Sequence, residues 1–212
     1  MDKTTHQAAL AHFMQVDSVM AELLQRVINH KVALPPLTAR APDTYFKELV
    51  ESIVGQQLSI KAAATIWKRF EDLVGKVTPT NILKHEHAEL RAVGMSNAKA
   101  TYVLTLAQDV LNERIILDDL HELENEVVIE RLLAAKGIGQ WSAEMFLMFT
   151  LARPDVFSSG DLGLVRAVEA AYERPGISKS ELDELAAKWS PHRTTAALVL
   201  WHSRDNQPLA GK

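Results

Sequence analysis

The sequence contains no cysteine among its 212 residues. This absence excludes disulfide bonds, a thiolate nucleophile, and any zinc site or iron–sulfur cluster that cysteine would ligate. The eight histidines do not suggest a metal site either, because no pair of them has the HxxxH or HExxH spacing of a zinc ligand set. We therefore expect no zinc ion, no iron–sulfur cluster and no other required cofactor.

Long apolar runs are also absent. No stretch approaches the roughly 18 consecutive apolar residues of a membrane-spanning helix, and the N-terminal residues lack the apolar segment of a signal peptide. These two absences predict a cytoplasmic protein with no membrane partner, associated with the nucleoid if the source is bacterial. The apolar fraction of 47% and the charged fraction of 24% are those of an ordinary globular protein.

A strong excess of positive charge, which would indicate a nucleic-acid partner, is lacking as well. The net charge is −4 at pH 7. Residues 113–130 hold seven acidic residues and one basic residue, so this stretch carries −6 and the remaining chain carries +2. A single acidic belt can lie on a face that meets no partner, so the charge neither supports nor excludes binding to DNA.

The hydrophobic pattern has a helical period almost throughout, without a convincing alternating strand. We predict an all-α, two-lobed helical bundle of about ten helices joined by short turns. The central lobe is predicted over 43–115, and the second lobe over 116–212 together with an N-terminal helix over 7–30. In the predicted helix that begins at residue 60, one apolar stripe contains Ile60, Ala63, Ala64, Trp67 and Phe70.

Two glycines interrupt the helical pattern of "LLAAKGIGQWSAEMFLMF", residues 132–149. Gly137 and Gly139 predict a tight turn inside a helix–hairpin–helix motif over 127–151, because glycine accepts positive φ values. The second helix then begins with unpaired backbone N–H groups, which suit a phosphate oxygen. Ile138 can turn inward and pin the hairpin to the core. An ordinary interhelical turn is the alternative that the two glycines alone would favour.

In its context, this hairpin resembles the helix–hairpin–helix DNA glycosylase superfamily (HhH-GPD), and within it the DNA-3-methyladenine glycosylase II group. The resemblance covers residues 40–203, in a short form without the β-rich N-terminal domain of some members. Four segments match in order: "YFKELVESIVGQQLSIKAA", "LRAVGMSNAKATYV", "LLAAKGIGQWSAEMFLMF" and "RPDVFSSGDLGLVRAV". The later segment "WSPHRTTAALVLW" also fits.

The resemblance implies a monofunctional DNA glycosylase of base excision repair. Such an enzyme flips an alkylated purine of the 3-methyladenine or 7-methylguanine type out of double-stranded DNA. It then hydrolyses the N-glycosidic bond and leaves an abasic site. Two alternatives stay open: a bifunctional or oxidised-base glycosylase on the same fold, and a non-catalytic DNA-binding module. We expect a monomer.

Asp161, in "SSGDLGLV", is the candidate catalytic residue. Its spacing alone favours a helix N-cap, whereas the resemblance places the catalytic aspartate of the family at this position. Both roles are compatible, because a helix start favours the ionised carboxylate. A carboxylate there would stabilise positive charge on the sugar and orient the attacking water.

The candidate base pocket is aromatic. Trp141 stands where the resemblance places the Schiff-base lysine of bifunctional relatives, which implies that water is the nucleophile. Aromatic faces also attract the cationic alkylated purines, although a core position for Trp141 is an equally good interpretation. The resemblance adds Trp201 to the pocket, and Tyr45 and Phe46 are further candidates for its lining.

The segment "GQQLS" corresponds to a family loop that inserts a side chain into the gap left by the flipped base. Gln57 or Leu58 would be that plug, whereas Gln56 fits a buried amide that satisfies backbone groups. Family hairpins also hold a monovalent cation through turn carbonyls, here near Gly137 and Gly139. Further candidate DNA contacts are Gly137, Ile138, Gly139, Gln140, Ser59, Arg193 and Thr194; Lys61, Lys68 and Lys99 fit a phosphate contact or a solvated face equally well.

Overall fold

The computed structural model describes residues 3–205, and every regular element in this range is helical. The predicted all-α fold is therefore confirmed. Short 3-10 turns lie at Pro42–Thr44 and Leu120–Glu122, and the ninth α-helix continues into a π-helical turn at Phe146–Thr150. The α-helices of the described range are α1 (Lys3–Val16), α2 (Ser18–Asn29), α3 (Tyr45–Gly55), α4 (Ile60–Val74), α5 (Pro79–Ile82), α6 (His87–Ala92), α7 (Asn97–Leu111), α8 (Asn125–Leu133), α9 (Gln140–Met145), α10 (Leu162–Ala171), α11 (Lys179–Ala187) and α12 (Arg193–Asp205).

The chain divides into a central unit, Ala39–Leu151, and a terminal unit that combines the residues before and after it. The predicted boundary near residue 116 therefore moves to residue 152, because the hairpin packs with α3. The Tyr45 ring lies 5.5 Å from the Phe146 ring, centroid to centroid, in an edge-on contact. The backbone N–H of Arg40 also donates to the Thr150 carbonyl at 2.8 Å. No helix in 3–205 is both long and apolar enough to cross a membrane.

The N-terminal segment forms two helices rather than the one predicted over 7–30, because Asp17 breaks it. Its backbone is extended, and its Oδ1 accepts the N–H of Met20 at 3.0 Å as the N-cap of α2. Its Oδ2 accepts the Tyr172 hydroxyl and the Trp189 indole N–H, both at 2.8 Å. Burial, together with the Asp17 carboxylate, raises the pKa of Tyr172. These contacts join the N-terminal and C-terminal parts of the terminal unit.

The interior of the central unit is formed by α3 and α7, which pack against each other. Leu49, Val50 and Ile53 of α3 are buried, and α7 buries Val103 and Leu106 at helical spacing. Each such side chain contributes about 1.5–3 kcal/mol relative to an exposed position. This pair of helices is the support on which the hairpin and the loop after α3 are built.

The predicted apolar stripe of α4 is only partly buried. Of its five members only Phe70 lies in the core, and Ile60 is 91% exposed. The buried residues of α4, Phe70 and Val74, belong to the end of the helix, so its beginning is solvated. Trp67 is half-buried and stacks on Phe70 with 5.4 Å between the ring centroids.

Candidate active site

Asp161 lies at the start of α10 in the terminal unit, and it is half-buried. Its Oδ1 accepts the backbone N–H of Leu164 at 2.8 Å, which confirms the predicted N-cap. The same oxygen accepts the indole Nε1–H of Trp201 at 3.1 Å. Two N–H groups from separate helices therefore hold this carboxylate oxygen in place. The structure brings together Asp161 and Trp201, two residues that the sequence assigned to different tasks.

Gly163 completes the surroundings of Asp161, although it was not among the residues predicted for the site. A Cβ at this position would lie 2.8 Å from Asp161 Oδ1 and 3.3 Å from Trp201 Nε1. The absence of a side chain is therefore a steric requirement for the hydrogen bond between the indole and the carboxylate. The available signal was a glycine inside the first turn of a helix, where alanine is intrinsically preferred.

The two glycines of the hairpin serve different purposes. Gly137 has φ +94, and a Cβ there would lie 2.5 Å from Cγ of Tyr102, so both conformation and space require glycine. Gly139 is extended, with φ −103 and ψ 175, and a Cβ on it would meet no atom within 4 Å. Gly139 is the N-cap of α9, a position that favours glycine, but no steric contact requires it. Its predicted contact with a phosphate stays a prediction.

Ile138 is 5% exposed, and its backbone N–H donates to the Ala135 carbonyl at 3.0 Å. The prediction that it pins the hairpin is confirmed, and its side chain is therefore not a DNA contact. Gln140 is exposed at the start of α9 and donates to Glu144 Oε1 at 2.8 Å. The hairpin thus presents Gly139 and Gln140 outward and keeps Ile138 inside.

The two carbonyls named for a monovalent cation each accept one hydrogen bond, and the cation stays a prediction. The Gly137 carbonyl accepts the side-chain amide of Gln56 at 2.8 Å, and the Gly139 carbonyl accepts the N–H of Ala143 at 3.0 Å. A carbonyl oxygen has two lone pairs, so these bonds leave the predicted cation site open as a prediction. Within residues 3–205, no three His, Cys, Asp or Glu side chains are grouped as metal ligands would be.

The candidate pocket residues are placed in two different ways. Trp141 is 46% exposed in α9, so its alternative interpretation as a core residue is wrong. Tyr45 and Phe46 are 1% and 8% exposed and belong to the core of the central unit, because they lie on the buried face of α3. A cavity of about 220 Å³ lies near them but is lined by other residues: Glu48, Leu49, Glu51, Ser52, Ser142, Met145, Phe146, Phe149 and Thr150.

Residues 56–59 connect α3 to α4 and are called the plug loop below. Gln57 has φ +57 and is exposed, and Leu58 is 37% exposed, so both side chains are accessible as the predicted plug requires. The Ser59 hydroxyl accepts the N–H of Ala62 at 3.3 Å as the N-cap of α4. Gln56 is half-buried and donates to the hairpin, which confirms its interpretation as an amide that satisfies backbone groups.

Arg193 and Thr194 do not present a phosphate site. The guanidinium of Arg193 binds the Asp155 carboxylate through two bonds, of 2.7 Å and 3.0 Å, and that carboxylate also accepts the backbone N–H of Arg193. An anion therefore already occupies the start of α12. Thr194 is fully buried, and its hydroxyl donates to the Arg153 carbonyl and accepts the N–H of Val156. The predicted phosphate contact of Thr194 is wrong for this reason.

The pKa of Asp155 reflects this pairing. Burial alone would raise it, but the hydrogen bonds from Arg193 and Ser190 outweigh burial and lower the pKa below its ordinary value.

Lys99, which was predicted either to contact a phosphate or to lie on a solvated face, does neither: its ammonium donates to the carbonyls of Val54 and Gln56. Lys99 therefore satisfies carbonyls at the end of α3 rather than an external anion.

Comparison with known proteins identifies the family. Residues 50–192 match the family described as HhH-GPD superfamily base excision DNA repair protein. The DNA-3-methyladenine glycosylase 1 of Schizosaccharomyces pombe is 30% identical over 203 residues, which are 93% of this chain and 87% of that protein.

Two solved structures agree with this match. The DNA-3-methyladenine glycosidase of Bacillus halodurans has a TM-score of 0.78 and 38% identity, covering 92% of this chain and 88% of that one. A 3-methyladenine DNA glycosylase of S. pombe in complex with abasic DNA has a TM-score of 0.78 and 28% identity, covering 93% and 97%. This chain belongs to the HhH-GPD superfamily of base excision DNA repair proteins, within its DNA-3-methyladenine glycosylase group, which confirms the resemblance seen in the sequence.

Proposed function

We propose that this protein is a monofunctional DNA glycosylase that removes alkylated purines of the 3-methyladenine or 7-methylguanine type. It acts as a monomer on double-stranded DNA, extrudes the damaged nucleotide and leaves an abasic site. Family membership supports the reaction class, since relatives named for 3-methyladenine match almost the whole chain. One of those relatives was solved with abasic DNA, the product expected of this reaction.

The observation that carries the proposal is the held carboxylate of Asp161. Its Oδ1 is occupied by the N–H of Leu164 and the indole of Trp201, so its position is set before any substrate binds. Preorganised charge of this kind stabilises a transition state without a reorganisation cost. The charge to be stabilised is positive, because breaking an N-glycosidic bond leaves an electron-deficient sugar.

The reaction needs one water molecule. Its oxygen bonds to C1′ of the deoxyribose while the bond from C1′ to the base nitrogen breaks, and that electron pair goes to the base. An alkylated purine that carries a positive charge then leaves as a neutral molecule without prior protonation. The proton released from the water passes to the Asp161 carboxylate, which acts as the general base.

Trp141 supports two parts of the proposal: water as the nucleophile and a cationic base as the substrate. The hairpin position that holds the Schiff-base lysine in bifunctional relatives is filled here by an indole, which has no nucleophilic amine. The ring is 46% exposed, so its face is accessible to a base. An aromatic face attracts a cationic purine more strongly than it attracts a neutral one. This difference favours the binding of alkylated over undamaged purines.

Incubation with methylated duplex DNA tests the proposal. Chromatography should detect free 3-methyladenine or 7-methylguanine, and the strand should break at the abasic site only after alkali treatment. Sodium borohydride should trap no covalent complex with DNA. A trapped complex would identify a bifunctional enzyme, and DNA binding without base release would identify a non-catalytic module.

A further inference from the structure

Lys99 of α7 holds the plug loop from one side. Its Nζ donates to the carbonyl of Val54 at 2.8 Å and to the carbonyl of Gln56 at 2.6 Å. These are the last turn of α3 and the first residue of the loop, where helix carbonyls have no partner in the helix itself. Both of these hydrogen-bond partners of Lys99 are backbone oxygens, so its ammonium group serves the end of α3 and the start of the loop. Burial lowers the pKa of Lys99.

Gln56 ties the same loop to the hairpin. Its Nε2 donates to the Gly137 carbonyl at 2.8 Å and to the buried hydroxyl of Ser142 at 3.4 Å. Gln56 therefore uses its carbonyl toward α7 and its side chain toward the hairpin. The residues that follow, Gln57 and Leu58, are exposed and make the turn with a positive φ at Gln57.

α7 supports the hairpin as well as the loop. The Tyr102 ring lies directly against the backbone of Gly137, where no side chain would fit. Lys99 and Tyr102 are three residues apart and so lie on one face of α7. A single helical face thus holds the plug loop through Lys99 and the hairpin through Tyr102, and Gln56 joins the two.

We propose that Lys99 and Gln56 are positioning residues for base extrusion, which lock the plug loop to the hairpin. The inference rests on the proposed function, in which the plug loop fills the gap left by the extruded base. A loop held at its base can present Gln57 or Leu58 to the duplex while the hairpin is seated on the backbone. Without the two ties, the plug enters the gap less often, and a paired base returns to the stack.

The test compares a 7-methylguanine paired with cytosine and the same lesion in a single-nucleotide bulge. A neighbouring 2-aminopurine reports extrusion by its fluorescence, and chromatography reports base release separately. A bulged base costs less to extrude, so loss of positioning should affect it less. The variants are Lys99→Met, Gln56→Leu, Lys99→Arg and the double variant, with Lys76→Met as a control that removes one exposed lysine charge.

Lys99→Met and Gln56→Leu should slow extrusion of the paired lesion by about tenfold or more, and of the bulged lesion by less than about threefold. Lys99→Arg should restore most of the rate, because a guanidinium can also donate to two carbonyls. The double variant should extrude the paired lesion only a little more slowly than the slower of the two single variants, since both ties hold one loop. Lys76→Met should leave the extrusion rate of both substrates unchanged.

Equal losses on the two substrates would overturn the inference, because they would show that the residues merely support the fold. Unchanged extrusion would overturn it too, as would the absence of extrusion by the wild type. If Gln56→Leu does not fold, Gln56→Asn replaces it, because the shorter amide cannot span the bond to Gly137. A wild type that extrudes the lesion without releasing it would contradict the proposed function and leave the positioning role standing.

Discussion

Gly163 influences the candidate catalytic carboxylate by having no side chain. A Cβ there would lie 2.8 Å from Asp161 Oδ1 and would also approach the Trp201 indole. Gly163→Ala should therefore displace the carboxylate and lower the single-turnover rate of base release by about tenfold or more. The binding of undamaged DNA should stay unchanged. The rate is measured with enzyme in excess over a duplex containing one lesion.

Gly160→Ala is the matched control, because a Cβ on Gly160 would meet no atom within 4 Å. It should retain the wild-type rate. If Gly163→Ala also retained that rate, the packing around Asp161 would not matter for catalysis. Because alanine is the better helix former, by about 1 kcal/mol, a loss of activity in Gly163→Ala could not be attributed to helix propensity.

At the scale of single residues, the sequence was most informative where a local rule applies. The N-cap at Asp161 was predictable, since cap residues precede a helix in recognisable patterns. The donation from Trp201 was not, because this residue is 40 positions away and no pattern in the sequence encodes the pair. Tyr45 and Phe46 were predicted to line the base pocket but are buried in the core. The sequence alone does not distinguish an aromatic side chain that lines a site from one in a core.

The hairpin gives a prediction at the scale of an element. Gly137→Ala forces a side chain into a positive φ and against Tyr102, so it should lower the free energy of unfolding by about 2 kcal/mol or more. Gly139→Ala meets no neighbour and should cost at most about 1 kcal/mol, through its N-cap position. Chemical denaturation measures both.

The effects of the two substitutions on DNA affinity should not follow their effects on stability. If a phosphate approaches the backbone at residue 139, a methyl group there weakens binding by about fivefold or more while the fold is intact. Unchanged affinity in Gly139→Ala would remove the hairpin glycine from the DNA interface. The comparison is made by fluorescence anisotropy at one fixed salt concentration, because phosphate contacts are salt-dependent.

The start of α12 has a pH-dependent partner in Asp155. Because the pKa of Asp155 is lowered in the folded state, its charge stabilises the fold above the unfolded pKa of about 3.9. This contribution is lost as the pH falls through the folded pKa. At pH 7, Asp155→Asn should lower the melting temperature by about 2–4 °C, for an effect on the order of 1 kcal/mol.

The difference between wild type and Asp155→Asn should shrink as the pH falls from about 5 to 2, as followed by thermal unfolding. Asp118→Asn, at an exposed carboxylate, serves as the control and should show little difference at any pH. A gap that stays constant down to pH 2 would show that the Asp155 charge is not what stabilises α12.

At the scale of the whole molecule, the helical period established the fold class, and the ordered motifs established the family. The grouping of helices was not predictable from the same information. The hairpin joins the central unit through the bond from Gln56 to Gly137, which are 81 residues apart. The two helices of the N-terminal segment are likewise separated by Asp17, whose carboxylate binds Tyr172 and Trp189 from the other end of the chain.

The central claim is that Asp161 acts in a hydrolytic release of alkylated bases, and Asp161→Asn tests it most directly. Asparagine is an effective N-cap and can still accept the N–H groups of Leu164 and Trp201, so folding and DNA binding should persist. Base release from methylated duplex DNA is measured for both proteins at equal DNA occupancy. We expect a loss of at least about a hundredfold, and wild-type release by Asp161→Asn would contradict the account.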